Sequence, residues 1–216
     1  MASTLQVHTI VSLPFQENTY VVWRAERSDA LVIDPGLDPD AILAFLDERS
    51  LDVAVILDTH GHADHIAGNE ALKQRFPGAP LIIGVNEVAL LSDPDLNMSS
   101  PFGFAIVSPP ADQLVNEGDV LEFAGFRLEV REIPGHSPGH VVFVLHDELP
   151  IVVFGGDVLF RGSIGRTDFP GGSFETLAAG IRTKLYTLPD DAVVYPGHGP
   201  VTTVGHEKRT NPFVKP

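Results

Sequence analysis

Three histidines and an aspartate crowd into one short segment, Thr59-His60-Gly61-His62-Ala63-Asp64-His65. It begins where the apolar strand pattern Val53–Leu57 and Asp58 end, and it leads into a helical pattern opening at Ile66. On extended backbone, residues i and i+2 point to the same side, so His60 and His62 can share one ion. The turn into a helix then lets Asp64 and His65 project toward a second position close by. Gly61 and Ala63 leave room for tight packing between them. Three further candidates occupy the same kind of place. His136 lies in Pro134-Gly135-His136-Ser137-Pro138-Gly139-His140, just before a strand. Asp157 follows the apolar run Ile151–Phe154 and two glycines, and His198 lies in Tyr195-Pro196-Gly197-His198-Gly199-Pro200, past another short strand. Each is a metal-ligand type on a loop at a strand terminus, and functional loops held by a rigid scaffold are what such a site needs. A lone histidine is more often an ordinary core or surface residue. Five histidines with two aspartates, all at strand–loop junctions, point to a metal centre. Of the other four histidines, His8 and His146 read as strand or surface residues. His140 supports the site or caps its turn, since Pro138 rules out a helical pair with His136. His206 is near enough to His198 in sequence to line the pocket.

The elements that must position these residues are short and mixed. Strands are predicted at Val7–Leu13, Tyr20–Arg24, Ala30–Ile33, Val53–Leu57, Leu81–Gly84, Phe126–Ile133, Val141–Leu145, Ile151–Phe154 and Ala192–Tyr195, from β-branched runs bounded by turn residues. A helix starts at Asp38-Pro39, with Ile42, Leu43 and Leu46 on one face. A second is predicted from Asp64 to Phe76, stopped by Pro77-Gly78. A third has Ser173 as N-cap and Phe174, Leu177, Ala178, Ile181 and Leu185 on one stripe. Residues 92–120 hold several Pro, Asp and Ser and few periodic apolar positions, so they read either as a lid facing substrate or as a surface insertion. No repeat and no linker divides the chain, and 1–216 is expected to form one domain of stacked layers, helices outside and sheets inside.

Composition narrows the chemistry further. The 216 residues contain no cysteine, which excludes disulfides, thiolate catalysis and any Cys-containing zinc site. With 14 Lys and Arg against 29 Asp and Glu, the formal net charge is −15. That balance argues against a duplex nucleic-acid surface, which needs clustered cations to displace counterions. No secretory signal is visible, and no apolar run approaches the ~20 residues that span a bilayer. The expectation is an acidic, soluble, cytoplasmic protein that binds neither nucleic acid nor membrane.

The pattern His60-x-His62-x-Asp64-His65, followed by His136, Asp157 and His198, resembles the metallo-β-lactamase superfamily, from about Val7 to Val214. The resemblance implies a four-layer αββα sandwich of mixed α/β (α+β) class with a buried dinuclear site. Within the superfamily, Gly155-Gly156-Asp157-Val158-Leu159-Phe160-Arg161-Gly162-Ser163-Ile164-Gly165-Arg166-Thr167-Asp168-Phe169-Pro170 and the later Tyr195–Pro200 and Asn211–Phe213 are similar to the short, one-domain bacterial hydrolases of glyoxalase II type. By position, it implies that His60, His62 and His136 hold the first metal, that Asp64, His65 and His198 hold the second, and that Asp157 bridges. Asp64 is expected to be catalytic as well as a ligand. Two divalent ions follow, zinc first, with iron or manganese also suited to the donor set. The chain departs from the pattern in two respects. True β-lactamases often place a cysteine at the second metal, and full-length glyoxalase II carries a C-terminal helical domain with glutathione contacts, whereas eighteen residues follow His198 here.

Two dications about 3.5–4 Å apart need anions between them and lower the pKa of a bridging water toward ~7, giving a hydroxide nucleophile at neutral pH. Ligand imidazoles must be neutral, so activity is expected to fall as the pH drops through their range, near 6.5 unperturbed. A thioester fits this machinery: its thiolate leaves with a pKa of about 8.5 and needs no dedicated general acid. A small thioester is therefore the expected partner, a glutathione conjugate such as S-D-lactoylglutathione among them. For substrate carboxylates the nearest cations in sequence are Arg161, Arg166, Lys208 and Arg209, although Asp168 is an obvious ion-pair partner for Arg166. The main rival on the same scaffold is a persulfide dioxygenase, with one iron on His60, His136 and Asp157. A phosphodiesterase and a metal-binding module without catalysis are the remaining readings.

Overall fold

The computed structural model describes residues 4–216. Its first half forms a six-stranded sheet in simple order: β1 (Leu5–Ser12), β2 (Glu17–Arg24), β3 (Asp29–Ile33), β4 (Asp52–Leu57), β5 (Leu81–Gly84) and β6 (Gln113–Val115). The first three strands run antiparallel through tight connections. From β3 onward the pairing is parallel, which requires crossovers, and the helices supply two of them. Helix α1 (Pro39–Arg49) joins β3 to β4, and α2 (Ala63–Ile66) with α3 (Asn69–Arg75) joins β4 to β5. The second sheet has the order β14 (Thr202–Thr203), β13 (Val193–Pro196), β10 (Val152–Gly156), β9 (Val141–Leu145), β8 (Phe126–Glu132) and β7 (Val120–Phe123). A small hairpin, β11 (Leu159–Phe160) with β12 (Ser163–Ile164), follows β10, and α4 (Phe174–Gly180) and α5 (Val204–Thr210) complete the chain.

The central strands β3, β5, β9 and β10 are covered on both faces and read as nearly unbroken apolar runs, whereas β7 and β8 near the sheet edge alternate with polar residues. Leu31, Ile33, Val55, Leu57 and Ile82 of the first sheet face Leu128, Val130, Phe143, Val152 and Phe154 of the second across the central core. The alternate residues Ala30, Val32 and Ile56 turn outward to Ile42, Phe45, Leu46 and Leu72 of α1 and α3. On the far side, Val142, Val144, Val153 and Val194 pack against Leu177, Ala178 and Ile181 of α4 and its continuation. The result is the four-layer αββα sandwich expected from the sequence.

Several elements differ from expectation. The helix predicted over Asp64–Phe76 is broken in two. Gly68 donates its N–H to the Pro35 carbonyl at 2.8 Å, and a Cβ there would lie 3.0 Å from Pro35 and Gly36. The chain bends so that the α2 segment stays against the loop after β3. Segment 92–120 is irregular only in part: it ends in β6 and begins β7, and its two short edge strands lack an internal pattern long enough to read. Helix α5 is capped by Thr203, whose side chain accepts from His206 N. Among the described residues, no helix is long and apolar enough to cross a membrane.

Candidate metal centre

One edge of the sandwich collects the ends of β3, β4, β10 and β13 and the start of β9. All seven residues singled out from the sequence meet there. The candidate ligand atoms of His60, His62 and His136 lie within 4.8 Å of one another, and so do those of Asp64, His65 and His198. Asp157 stands between the two groups. Its Oδ1 is 3.5 Å from His65 Nε2, and its Oδ2 is 3.4 Å from His136 Nε2 and 3.5 Å from His198 Nε2. Asp64 Oδ2 lies 3.4 Å from His198 Nε2. Gly156 lets Asp157 reach this point: its φ is +45°, and a Cβ would collide with Thr59 Oγ1 at 2.2 Å.

The hydrogen bonds around the cluster fix which nitrogen each ring turns inward. Asp34 Oδ1 accepts from Thr59 N at 2.7 Å, and Oδ2 accepts from Thr59 Oγ1 at 2.8 Å and from His65 Nδ1 at 3.1 Å. With its own proton committed to Asp34, the Thr59 hydroxyl accepts from His60 Nδ1 at 3.1 Å. His136 Nδ1 donates to the Arg166 carbonyl at 2.8 Å, and His198 Nδ1 donates to the carbonyls of Phe15 and Gln16 at 3.1 and 3.2 Å. In all four rings Nδ1 is therefore occupied and Nε2 faces the cluster. This is how proteins orient imidazole ligands. Asp157 is oriented in turn, since its N–H donates to His140 Nε2 at 2.9 Å. The His140 ring stacks on His60 with centroids 4.6 Å apart.

What remains at the centre is a set of buried polar atoms without hydrogen-bond partners. His60 Nε2, His65 Nε2 and Asp157 Oδ1 are buried and have no hydrogen-bond partner. His62 Nδ1 and His136 Nε2 are 2.9 Å apart, a hydrogen bond when His62 carries its proton on Nδ1 and two lone pairs aimed at one point when it does not. Buried polar atoms in native proteins are otherwise almost always paired, so this donor set fits two divalent cations. The electrostatics agree. Burial, reinforced by neighbouring imidazoles, holds His60 and His62 well below the usual histidine range, and burial lowers His136. Burial would also lower His65, but Asp64, Asp157 and Asp34 outweigh it and hold that ring high. Asp64 is held low despite its own burial, because His65 and His198 face it. Three carboxylates thus concentrate negative charge on the second group.

Four supporting residues had escaped the sequence reading. Asp34 carries the same signal as Asp157, an acid at a strand end before a turn (Pro35-Gly36), and could have been found. Thr59 is the spacer between Asp34 and His60. Glu87 is fully buried and ties two ligand loops together, accepting from Gly61 N at 2.8 Å and from Gly139 N. Asn97 accepts from Ala63 N at 2.9 Å through its carbonyl and ties segment 92–112 to α2. A cavity of about 200 Å³ opens above the cluster, walled by Phe15, Met98, Phe102, Phe104, Ile106 and Phe169.

Of the expected cations, Arg166 reaches this cavity, and its guanidinium is held bidentately by Asp168 at 2.8 and 2.7 Å and lies 3.8 Å over Phe169. Lys208 and Arg209 pair with Asp190 instead. His206 does not line the cavity: α5 carries it to a separate surface depression with Arg161. His8 stacks on Phe45, and His146 pairs with Glu129.

Comparison with known proteins agrees with this geometry. The model of the metallo-beta-lactamase superfamily matches residues 13–198. The hydroxyacylglutathione hydrolase GloC of Haemophilus influenzae is 40% identical over 213 residues, covering 97% of this chain and 98% of the relative. Among solved structures, BLEG-1 B3 metallo-beta-lactamase is similar with a TM-score of 0.92 and 39% identity, over 98% of this chain and 100% of that one. TTHA1623 in a di-iron-bound form has a TM-score of 0.85 and 38% identity, over 96% and 100%. With its fold, its convergent His/Asp cluster and this likeness along nearly its whole length, the chain belongs to the metallo-β-lactamase superfamily.

Proposed function

We propose that the protein is a metal-dependent thioester hydrolase of glyoxalase II type, acting on S-D-lactoylglutathione or a related thioester. In this reading His60, His62 and His136 hold one ion, Asp64, His65 and His198 hold the other, and Asp157 serves both. The observation that carries it is the equal preparation of the two groups. The His65 ring locked by Asp34 and the His198 ring locked by two carbonyls favour two ions over a single iron on His60, His136 and Asp157. Bound divalent ions supply a Lewis acid and a water acidic enough to act as nucleophile at neutral pH.

The chain's own residues do the rest. Asp34, Thr59 and the Arg166 carbonyl keep the His65, His60 and His136 rings in one orientation, which spares the site reorganisation during reaction. Among the described residues lining the cavity, the titratable side chains are the candidate ligands and the ion-paired Arg166, so no spare acid stands ready to protonate a leaving group. A thiolate, with a pKa of about 8.5, departs without one, whereas an amine from a lactam requires a proton. The likeness to a hydroxyacylglutathione hydrolase over nearly the whole chain supports the same choice.

The test is turnover of S-D-lactoylglutathione by metal-analysed protein, beside a chromogenic cephalosporin and glutathione persulfide. The expected result is about two ions per chain and a kcat/KM at or above roughly 10⁴ M⁻¹s⁻¹ on at least one thioester. One iron per chain with oxygen consumed and no thioester cleaved would replace this reading with the dioxygenase.

A further inference from the structure

The cavity above the metal cluster is built mostly of apolar side chains, and they are held in place. Phe15 and Phe102 meet edge to face with ring centroids 5.1 Å apart. Phe102 and Phe104 are 52% and 50% exposed, although they sit at the mouth of a buried polar site. Phe169, also in the wall, lies edge-on to His62 at 5.3 Å. The segment bearing Phe102 and Phe104 is anchored by Asn97, whose Nδ2 donates to the carbonyls of Leu90 and Ile106 at 3.1 and 2.9 Å. The Asn97 Oδ1 accepts from Ser99 N and Oγ at 3.0 and 2.7 Å. Through its own carbonyl the same residue is bonded to Ala63 N, between two candidate ligands. Single exposed phenylalanines are ordinary on protein surfaces. A contiguous set around a concave site with a few polar groups at its floor marks a binding surface.

Charge points the same way. Arg166 is the one Lys or Arg among the described residues lining the cavity, and Asp168 already neutralises it. A glutathionyl group carries two carboxylates against one ammonium, and the net charge of −15 disfavours such anions at long range. Resting on the thioesterase reading above, we infer that the preferred substrate is a thioester bearing an uncharged aromatic or branched aliphatic arm beside its scissile carbonyl, with Phe15, Phe102, Phe104 and Phe169 receiving that arm.

The experiment compares acetyl and phenylacetyl thioesters of N-acetylcysteamine and of benzyl mercaptan with S-D-lactoylglutathione, on the metal-loaded protein. At least one apolar arm should raise kcat/KM tenfold or more over acetyl-N-acetylcysteamine, equivalent to about 1.4 kcal/mol, and should exceed S-D-lactoylglutathione. In a Phe102→Ala/Phe104→Ala variant that ratio should fall toward one. The binding of phenylacetate and acetate, measured by calorimetry, should show the same tenfold preference and the same loss. A flat series in the native protein, or a ratio unchanged in the variant, overturns the inference, and the native series decides even if the variant fails to fold. Failure to cleave any thioester would refute the thioesterase reading instead, and the acid titration would then judge the apolar site on its own.

Discussion

Asp34 offers a sharp test of how the centre is held. It lies at φ +49° at the end of β3, a backbone conformation that asparagine adopts readily, so Asp34→Asn changes the chemistry without straining the chain. The carboxylate accepts three hydrogen bonds, from Thr59 N, Thr59 Oγ1 and His65 Nδ1. An amide has one acceptor oxygen, and its NH₂ must face one of these donors. If the oxygen stays on Thr59 N, the NH₂ confronts His65 Nδ1 and drives the ring proton to Nε2, the atom aimed at the cluster. Removing such an orienting partner typically costs 10- to 100-fold in metal affinity, about 1.4 to 2.8 kcal/mol. The loss should fall mainly on the ion held with His65, because His60 feels Asp34 only through Thr59. Zinc competition against a chromogenic chelator resolves the two affinities. Two ions bound as tightly in Asp34→Asn as in the native chain would refute the orientation argument.

Other perturbations test the frame around it. Glu87→Gln turns an acceptor oxygen into a donor facing Gly61 N or Gly139 N, and unfolding in denaturant should show a loss of about 1–3 kcal/mol. Gly165→Ala would set a Cβ 1.9 Å from the Asp157 carbonyl and should destabilise by at least 1–3 kcal/mol, the usual cost of overpacking. Gly78→Ala, with no atom within 4 Å of the added Cβ, should be neutral or stabilising by up to about 1 kcal/mol; equal melting temperatures for the two variants would contradict the packing described. Chelation should lower the melting temperature reversibly, with zinc at 100 times its Kd restoring about 2.7 kcal/mol per site. A melt insensitive to chelator in protein shown to have lost its ions would break the link between cluster and fold.

The stacked layers and the meeting of the seven His and Asp residues were legible because their signals are local, whereas the four-layer αββα order was implied by the resemblance to the superfamily. Apolar runs mark the strands, and a ligand type beside Gly or Pro marks each strand end. What was hidden depends on partners distant in sequence. Asp34 reaches Thr59 across 25 residues, and Glu87 reaches Gly139 across 52, so neither pairing leaves a periodic trace. The break between α2 and α3 is imposed by the Pro35 carbonyl, and β6 exists because β5 offers it an edge. His206 shows the complementary effect: its nearness in sequence to His198 is undone by the turn into α5.

The loop bearing His198 is fastened to a strand from the opposite end of the sequence. Asn18 N donates to Gly197 O at 2.8 Å, its side chain reaches the carbonyls of Pro196 and Gly199, and the Tyr20 hydroxyl donates to Pro196 O at 2.6 Å. A chain emerging from the ribosome therefore exposes His60 and His62 long before the residues that complete either group, and β2 must wait for β13 before its polar side chains find their partners. Metal capture then belongs to the finished polypeptide rather than to the growing one. A truncated translation product would carry the most conspicuous histidines of the protein without the His136, Asp157 and His198 that complete the two groups.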